Sequence, residues 1–289
     1  MKVLTIIVSY NFERWITPCL ESLQKSSYAT DIIVIDNGSK DQTTNIIESN
    51  YPEVRLIKTG ENLGFGKANN IGMQLALNEG YDFAFLLNQD AWIEKDTIET
   101  LVNVSLKHPE YGILSPVHLN GTGNELDKGF ATYVHKINKQ DCITYEKELI
   151  TVSFVNAAFW MLPRKTLEII GGFSPLFYHY GEDIDYVNRV KYHGLKIGYI
   201  PYVIGYHDRA LRAKATDTAY FHSEFVYHLA EYANINYSIR NAFTYGICAC
   251  LKKTTKDIRY APVCWKLIKK SIQTFKTRKT NRQKKHNYL

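Results

Sequence analysis

Short apolar runs alternate with helical patterns over the first hundred residues, and this alternation constrains the fold more than any other feature of the chain. The runs are rich in β-branched residues, nearly continuous, and lie at residues 3–8, 32–36, 54–57 and 83–87. Such runs are typical of buried parallel strands in βαβ units. We therefore predict an α/β fold with a mixed, mostly parallel central sheet flanked by helices, and ligands at the carboxyl ends of its strands.

Three helices are expected between these strands. Trp15 and Leu23 mark the first helix, and residues 68–78 form the third. Ser39, followed by Gln42, has the capping-box pattern and is expected to begin the second helix. The nucleotide-binding half of the chain is therefore placed at residues 1–105.

The pattern weakens after residue 106. Residues 118–150 are polar and contain glycine, which predicts a loop or hairpin region able to cover an acceptor. The expected elements beyond it are strands at 152–155, 159–162 and 195–200, a helix over 183–193 and helical sequence over 218–245. We divide the chain into a catalytic domain, 1–215, whose second half (106–215) holds the acceptor and catalytic residues, and a C-terminal helical region, 216–289, with a basic tail.

The charge is divided unevenly along the chain. Residues 252–289 carry a net charge of +12 and the rest of the chain −6. A mildly acidic body is not the profile of a nucleic-acid enzyme, so nucleic acid is not expected as a partner. Apolar tail residues interleave with lysines, which favours an interfacial amphipathic helix on an anionic membrane. A solvated, partly disordered tail, or one adapted to nucleic acid, is the alternative. The interleaved apolar residues are Ile258, Tyr260, Val263, Trp265, Leu267, Ile268, Ile272 and Phe275.

Targeting signals and cysteines suggest a compartment. The sequence runs from Met1 directly into a strand without the apolar region of a leader, and no apolar run approaches the roughly 18 residues that span a bilayer. The cysteines are scattered and lack a CxxC pair, which favours reduced thiols. We expect a cytoplasmic protein, peripheral on the inner face of the plasma membrane; homodimer formation is left open.

Polar residues follow several predicted strands. Asn11, Asp36 and Asp90 each lie at or just past a strand end, so they are expected to line one edge of the sheet. A carboxylate such as that of Asp90 suits Mg²⁺ or Mn²⁺, which take their other ligands from phosphates and water. Turn capping is the ordinary alternative for a strand-end aspartate. Asp36 has the acceptor that a pyrimidine imide N–H requires, whereas Asn37 and Gly38 equally suit a plain turn.

The stretch from Glu61 to Gly72 contains two glycines ahead of a predicted helix, Gly64 and Gly66. Glycines there permit close backbone approach, and a helix N-terminus offers free N–H groups to a phosphate. The stretch is neither a Walker loop nor a dinucleotide fingerprint.

Three acids, Glu182, Asp183 and Asp185, open the helix predicted over 183–193. A helix dipole stabilises acids at this end, so capping competes with catalysis as an explanation. Three acids exceed what a cap needs, and a general base must lie within reach of the hydroxyl that it deprotonates. The neighbouring charges should raise the pKa of the most crowded carboxyl group. Aromatic residues beside them, including Tyr180, suit the face of a sugar.

His207 follows the last predicted strand and precedes a basic stretch, Arg209, Arg212 and Lys214. A single histidine is more often a packed or surface residue than a ligand. Its position nevertheless suits contact with a metal or a diphosphate, and the basic residues could neutralise a leaving diphosphate as a lid.

Taken in order, these motifs resemble those of family 2 glycosyltransferases of the GT-A fold, closest to the bacterial rhamnosyltransferase-like branch. The resemblance covers roughly residues 3–210 and is specific as a set. The motifs are Val8-Ser9-Tyr10-Asn11, Asp36-Asn37-Gly38-Ser39, Glu61-Asn62-x-Gly64-Phe65, Asn69-Asn70-x-Gly72, Asn88-Gln89-Asp90, Gly171-Gly172-Phe173, Glu182-Asp183-x-Asp185 and His207.

The resemblance implies an inverting, metal-dependent transfer of a sugar from a nucleotide diphosphate. It implies that Asp183 is the general base, that Asp90 binds Mg²⁺ or Mn²⁺, and that His207 is a further contact to the metal or the diphosphate. Tyr180 and Glu182, which lie beside the general base, are expected to contact the acceptor. The chain departs from the pattern at Asn88, where many members have aspartate, so the metal would depend mainly on Asp90 and the diphosphate. The residues assigned to the donor are Ser9, Tyr10, Asn11, Asp36, Asn62, Asn69 and Gln89.

The expected function is therefore transfer of a sugar, with dTDP-rhamnose as the preferred donor, to a hydroxyl of a lipid-linked glycan acceptor in bacterial surface polysaccharide synthesis. UDP-hexose or UDP-N-acetylhexosamine is the alternative donor. A sugar-phosphate nucleotidyltransferase is expected to have a Gly-rich basic loop after the first strand. This chain has Asn11 to Arg14 at that position instead. A non-catalytic glycan- or membrane-binding protein would use the aromatics and the tail, but gives no reason for Asp90 and Asp183.

Overall fold

The computed structural model describes residues 1–136, 138–210 and 216–289. Within these ranges, nine strands form one mixed sheet with helices on both faces, and a group of helices follows at the C-terminal end. The strands are β1 (Val3–Ser9), β2 (Asp31–Asp36), β3 (Arg55–Lys58), β4 (Phe83–Asn88), β5 (Ala91–Ile93), β6 (Tyr111–Asn120), β7 (Ile150–Thr151), β8 (Phe159–Pro163) and β9 (Lys196–His207).

The helices alternate with the strands in the first half of the chain and follow one another directly at its end. They are α1 (Ile16–Gln24), α2 (Thr43–Asn50), α3 (Phe65–Asn78), α4 (Thr97–Lys107), α5 (Lys128–Val134), α6 (Arg164–Ile170), α7 (Glu182–Tyr192), α8 (Asp217–Ala233), α9 (Ile239–Phe243), α10 (Ala249–Lys256) and α11 (Ala261–Asn281). A π-helical turn, Thr244–Cys248, joins α9 to α10.

The strand order is β3-β2-β1-β4-β8-β6-β9-β5, and β7 also pairs with β9. The first four strands are parallel, as their continuous apolar sequences predict for strands covered on both faces. β1 is paired so that Ser9 lies beside Asp36 of β2, and Val8 beside Asn88 of β4. The polar residues at these strand ends are therefore collected at one edge of the sheet.

Side chains of the central strands alternate between two cores. In β1, Val3 and Ile7 join a core that includes residues of α1 and α4, whereas Leu4 and Ile6 join a core with residues of α3, α6 and α7. This period of two is the geometry of a strand, and it fixes the register of the sheet because a slip of one residue would exchange the two faces.

The second half departs from several boundaries predicted from the sequence. β6 continues to Asn120 and β9 to His207, and the short helix α5 occupies part of the region predicted as a loop or hairpin. The strand predicted at 152–155 is wrong, since β7 ends at Thr151. β6 lies between β8 and β9 and is almost entirely buried. Long-range pairing of this kind leaves little periodicity in the local sequence.

The start of the second helix is also corrected. α2 begins at Thr43, its N-cap residue Gln42 makes no side-chain capping bond, and the predicted capping box at Ser39 is not formed. The hydroxyl of Ser39 instead donates to the carboxylate of Asp36. A strand-end acid within reach therefore takes the hydroxyl that would have capped the helix.

The C-terminal helices form a third core, which Leu176 and Phe177, from the segment between α6 and α7, also join. The extreme C-terminus returns to the sheet domain, where the backbone N–H of Gly172 donates to the carbonyl of Asn287. Across the described ranges, no helix combines the length and apolar character needed to cross a membrane.

Candidate active site

Two adjoining cavities lie where the carboxyl ends of β1 and β4 approach the first turn of α7. Their volumes are about 440 Å³ and 240 Å³. Asp90 lines the larger cavity and Asp183 the smaller one, and Phe65, Asn88 and His179 line both. The two acids, far apart in the sequence, are therefore brought to one continuous cleft.

The strand-end residues Ser9 and Asp36 form a closed hydrogen-bond group. Asp36 is 3% exposed, and its Oδ1 accepts from the hydroxyls of Ser9 and Ser39. Its Oδ2 accepts from the backbone N–H groups of Gly38 and Ser39. Asp36 thus fixes the turn after β2, and the next residue, Asn37, is the one that lines the larger cavity.

Amide side chains fix the floor of the larger cavity. Asn62 Oδ1 accepts from Asn37 Nδ2 and from the N–H of Gly64, both at 2.9 Å. Gln89 binds the backbone of Tyr10 twice, accepting from its N–H at 2.7 Å and donating to its carbonyl at 3.2 Å. Gly64 has a φ of 82°, and a Cβ there would meet the carbonyl oxygen of Tyr178. Only glycine permits this close approach of the two loops.

Of the residues assigned to the donor, only Tyr10, Asn62 and Gln89 line a cavity of the cleft. Ser9 and Asp36 lie behind it in the hydrogen-bond group described above, and Asn69 and Asn11 do not line it either. Asn69 is 1% exposed, and its Nδ2 donates to the carbonyl of Phe65 one turn earlier in α3. Asn11 has a φ of 53°, and its Oδ1 accepts from the N–H of Lys40, which ties the first turn of the chain to the turn after β2. The structure places both residues in support of the cleft wall.

Asp90 and His207 are neighbours because β5 pairs with β9, with Ala91 opposite His207. Asp90 Oδ1 lies 3.2 Å from His207 Nε2, and Asn88 Nδ2 lies 3.4 Å from the same nitrogen. Asn88 Oδ1 is buried without a hydrogen-bond partner among the described residues. A carboxylate, an imidazole and an amide with an unpartnered oxygen lie together here, and these donor types fit a divalent cation completed by phosphate oxygens.

The protein supplies only part of such a coordination shell. No group of three or more histidine, cysteine, aspartate or glutamate side chains in the described ranges could hold a metal by itself. This agrees with the substitution of asparagine at position 88, since the remaining ligands would have to come from the diphosphate and water.

Asp127 was not predicted from the sequence, although it lies directly behind His207. It is 2% exposed, and its Oδ2 lies 2.9 Å from Arg209 Nε and 3.7 Å from His207 Nδ1. Its Oδ1 accepts from the N–H of Phe130 and so caps α5. An aspartate that can cap the following helix is the only local signal at this position. Nothing in the sequence connects it to His207.

The first turn of α7 carries two carboxyl groups with raised pKa values. Burial, and then the charge of Asp183, raises the pKa of Glu182 to about 8. Burial raises the pKa of Asp183 to about 6, against the opposing effects of its backbone hydrogen bonds and of Arg209. Glu182 Oε2 is buried and has no hydrogen-bond partner in the described part of the chain. Both groups line the smaller cavity.

The third acid of this motif has a different role. Asp185 is buried, and its Oδ2 lies 2.9 Å from Nε of Arg189, which is also buried. Its Oδ1 accepts from Asn281 Nδ2 at the end of α11. Asp185 therefore fixes α7 against the C-terminal helices and does not face the cleft.

Tyr180 is half exposed and lines the smaller cavity, next to Gly181 at the N-cap of α7. Both residues have positive φ values, 66° and 85°, so the chain turns sharply before the helix. Tyr178 was not singled out from the sequence, yet it lines the larger cavity and its hydroxyl donates to the carbonyl of Asn62.

A third cavity of about 510 Å³ lies beyond His207 and Arg209 and is also lined by Arg14 and Lys128. Arg209 lines both this cavity and the one that holds Asp183. Arg212 and Lys214, the other members of the predicted lid, lie outside the described residues.

Comparison with known proteins adds a family and a fold to this geometry. The profile of Glycosyl transferase family 2 matches residues 5–170. A hexosyltransferase of low-salt glycan biosynthesis, Agl10 of Haloferax volcanii, is 25% identical over 74% of this chain and 70% of its own length. An N-acetylglucosaminyl-diphospho-decaprenol L-rhamnosyltransferase of Mycobacterium tuberculosis is 24% identical over 62% of this chain, and the match spans 66% of that relative.

Solved structures share the architecture. S. aureus TarS in complex with UDP-GlcNAc superposes with a TM-score of 0.60 at 16% identity, over 95% of this chain and 81% of that one. The mannosyltransferase PcManGT from Pyrobaculum calidifontis, in complex with GDP-Man and Mn²⁺, gives a TM-score of 0.56 at 17% identity, over 94% and 75% of the two chains. These likenesses confirm the predicted α/β fold of the GT-A class.

Proposed function

Because the chain belongs to glycosyl transferase family 2, we propose that it moves a sugar from a nucleotide-diphosphate donor to a hydroxyl group of a glycan acceptor. The chain is a glycosyltransferase. The observation that carries the proposal is the position of Asp90 and Asp183 in two adjoining cavities with shared walls. The larger cavity holds the nucleotide diphosphate and the smaller one the transferred sugar.

Asp183 is the proposed general base. Its carboxylate accepts the proton of the acceptor hydroxyl as the oxygen attacks the anomeric carbon, and the bond from that carbon to the diphosphate breaks. Attack from the face opposite the leaving group inverts the anomeric configuration. A pKa near 6 suits this task, because the group is ionised at neutral pH and yet basic enough to take a proton. Glu182 and Tyr180 line the same cavity and are proposed to contact the acceptor.

Asp90 and His207 are proposed to hold a divalent cation, Mg²⁺ or Mn²⁺, with the diphosphate. When bound, such an ion offsets the negative charge that develops on the leaving diphosphate. The donor set described above supports this assignment, as does the presence of Mn²⁺ in the complex of the Pyrobaculum mannosyltransferase. Asp127 and Arg209 support His207 from behind.

The proposed donor is dTDP-rhamnose, with UDP-hexoses and UDP-N-acetylhexosamines as the alternatives. The mycobacterial relative, whose name includes L-rhamnosyltransferase, supports the first choice. The superposition on TarS with UDP-GlcNAc supports the second. Tyr10, Asn62 and Gln89, which line the larger cavity, are the proposed donor contacts, and Ser9 is proposed to support them through Asp36.

The acceptor is proposed to be a lipid-linked glycan of surface polysaccharide synthesis, reached at the cytoplasmic face of the membrane. The diphospho-decaprenol in the name of the mycobacterial relative supports an acceptor that carries phosphate. The third cavity supports it as well, since Arg14 and Lys128 line it and it shares Arg209 with the cavity of Asp183.

A panel of nucleotide sugars tests the proposal directly. The full chain is incubated with dTDP-rhamnose, UDP-glucose, UDP-galactose and UDP-GlcNAc, each with Mn²⁺, with Mg²⁺ and with EDTA, and release of the nucleoside diphosphate is measured. We expect release with one donor class, dependent on the metal and lost in Asp90→Ala. Binding of no nucleotide sugar would favour a glycan- or membrane-binding protein, and production of a nucleotide sugar from a sugar phosphate would favour a nucleotidyltransferase.

A further inference from the structure

The outer face of α11 carries large apolar side chains that the described part of the chain leaves in water. Trp265, Ile268, Ile272 and Phe275 are spaced by three or four residues, so they lie on one side of the helix. Their exposed fractions are 58%, 45%, 74% and 58%. A row of large apolar side chains in water is unfavourable and marks an interaction surface. We call these four residues the α11 face.

The opposite side of the helix packs in the third core. Val263 and Leu267 are buried among residues of α8 and α10. Arg278 is also buried, and its guanidinium donates to the carbonyls of Tyr232 and Tyr237. The helix is therefore held in place by one side, and the apolar residues of the α11 face are not needed to complete the core.

Basic residues border the α11 face. Lys269, Lys276 and Lys279 are exposed, and Lys269 Nζ lies 5.2 Å from the ring centroid of Trp265. α11 contains no acidic residue, and the segment 252–289 has a net charge of +12. A surface that is apolar along its centre and cationic at its borders is complementary to one that is apolar inside and anionic at its rim.

We propose that the α11 face lies in the interfacial layer of a membrane that contains anionic lipids. The four apolar side chains enter the boundary between headgroups and acyl chains, and the three lysines contact the headgroup phosphates. This assigns a surface to the membrane location in the proposed function, and corrects the tail predicted from the sequence, because Tyr260, Val263 and Leu267 are buried in the protein. A second copy of the chain fits the face less well, since a symmetric contact would bring the two sets of lysines together.

Vesicle binding of the full chain tests the proposal. Cosedimentation is measured with phosphatidylcholine vesicles and with vesicles that contain about one third phosphatidylglycerol, without any nucleotide sugar. We expect binding to the anionic vesicles that weakens with salt and little binding to the neutral ones. Ile272→Ser with Phe275→Ser should weaken this binding at least tenfold. Lys269→Gln with Lys276→Gln and Lys279→Gln should weaken it about 100-fold.

Matched controls change the same residue types elsewhere. Leu106→Ser with Tyr145→Ser removes exposed apolar side chains of the catalytic half, and Lys95→Gln with Lys165→Gln and Lys191→Gln removes three exposed lysines. Both sets should bind vesicles like the unaltered chain. Quenching of tryptophan fluorescence by lipids brominated near the headgroup should occur and be largely lost in Trp265→Phe.

Three results would overturn the proposal. They are absence of binding to anionic vesicles, equal loss of binding in the control sets, and dimerisation in analytical ultracentrifugation that Ile272→Ser with Phe275→Ser abolishes. The last result would assign the α11 face to self-association. Because no sugar transfer is measured, failure here is separate from failure of the proposed function, which the nucleotide-sugar panel decides.

Discussion

The two sides of the cleft differ in the hydrogen bonding of their buried polar groups. On the donor side, at the ends of β1 and β2, Asp36 accepts four hydrogen bonds from protein groups, and Asn62 is fixed by Asn37. On the reaction side, Asn88 Oδ1 and Glu182 Oε2 are buried without hydrogen-bond partners in the described ranges. The polar groups of the proposed donor side are therefore paired within the protein, whereas two polar atoms of the proposed reaction side are not.

The difference suggests how the fold divides stability from chemistry. A satisfied hydrogen bond contributes about 1 kcal/mol, whereas a buried polar atom without a partner costs about 1–3 kcal/mol. Such atoms are rare in folded proteins and call for a ligand or a catalytic role as their explanation. We therefore expect substitutions on the donor side to act mainly on stability and affinity, and those on the reaction side mainly on turnover.

The largest effect is expected at Asp183, on the reaction side. Asp183→Asn keeps the size of the side chain but cannot accept the proton, so turnover should fall about 10²–10⁴-fold while the donor Kd changes little. Steady-state kinetics and equilibrium donor titration measure the two quantities. Near-normal turnover in this variant would remove Asp183 as the base and weaken the contrast between the two sides.

Asp127 tests whether the reaction side depends on support from behind. Asp127→Asn can still cap α5 but loses the charge that faces Arg209 and His207, so Mn²⁺ affinity should fall about 10–100-fold. The melting temperature should also fall, because Arg209 loses its buried partner. Electron paramagnetic resonance of free Mn²⁺, with and without a nucleoside diphosphate, measures the affinity.

The matched control for this variant is Asp257→Asn, which also removes a capping carboxylate that binds an arginine, Arg259, but does so in the C-terminal helices. It should leave Mn²⁺ binding unchanged. Equal loss of affinity in both variants would show that the effect is one of net charge and not of support for His207.

Glu182 should make the reaction side less stable as the pH rises. Its folded-state pKa of about 8 lies above its ordinary value of 4.5, so between these values the folded protein holds a proton that the unfolded chain releases. Stability from this group therefore falls as the pH rises through that window. Glu182→Gln lacks this ionisable group. The melting temperature of the variant, relative to that of the unaltered chain, should therefore increase as the pH is raised from 5 to 8.

Glu148→Gln is the control of opposite sign, because Lys107 holds the pKa of Glu148 below its ordinary value. As the pH rises to about 4.5 and the carboxylate of the unaltered chain ionises, the melting temperature of this variant should fall slightly relative to that of the unaltered chain. A gain at Glu182→Gln that does not depend on pH would mean that packing, and not the buried carboxyl group, limits stability there.

The smallest effect is expected on the donor side at Ser9. Ser9→Ala removes one of the four bonds to Asp36, so the free energy of unfolding should fall by about 1 kcal/mol with a modest loss of donor affinity. Ser115→Ala removes a comparably buried hydroxyl bonded to His118 inside β6, and should lose stability without changing donor affinity. A loss of turnover at Ser9→Ala as large as that at Asp183→Asn would end the distinction between the two sides.

The fold and the candidate site were predictable to different extents. The strands around Ile6, Ile33 and Leu86 followed from local sequence because a buried parallel strand is an unbroken β-branched run. The role of Asp127 did not, since His207 ends β9 and Arg209 follows it, about eighty residues along the chain, and the segment between them and Asp127 has no clear period. The predicted start of α2 was wrong for a related reason. The hydroxyl of Ser39 binds the carboxylate of Asp36, which lies nearer than the N-terminus of the helix.

By itself, the sequence determined the alternation of strands and helices, the polar residues at the strand ends, the acids that open α7 and the charge of the tail. These are local properties, fixed by the period of apolar residues and by charge along a short stretch of chain. Only the tertiary structure decided that Asp185 supports α7 while Glu182 and Asp183 face the cleft, and that one side of α11 is core and the other is exposed. A side chain's surroundings depend on which distant elements pack against it, and the local sequence does not contain that information.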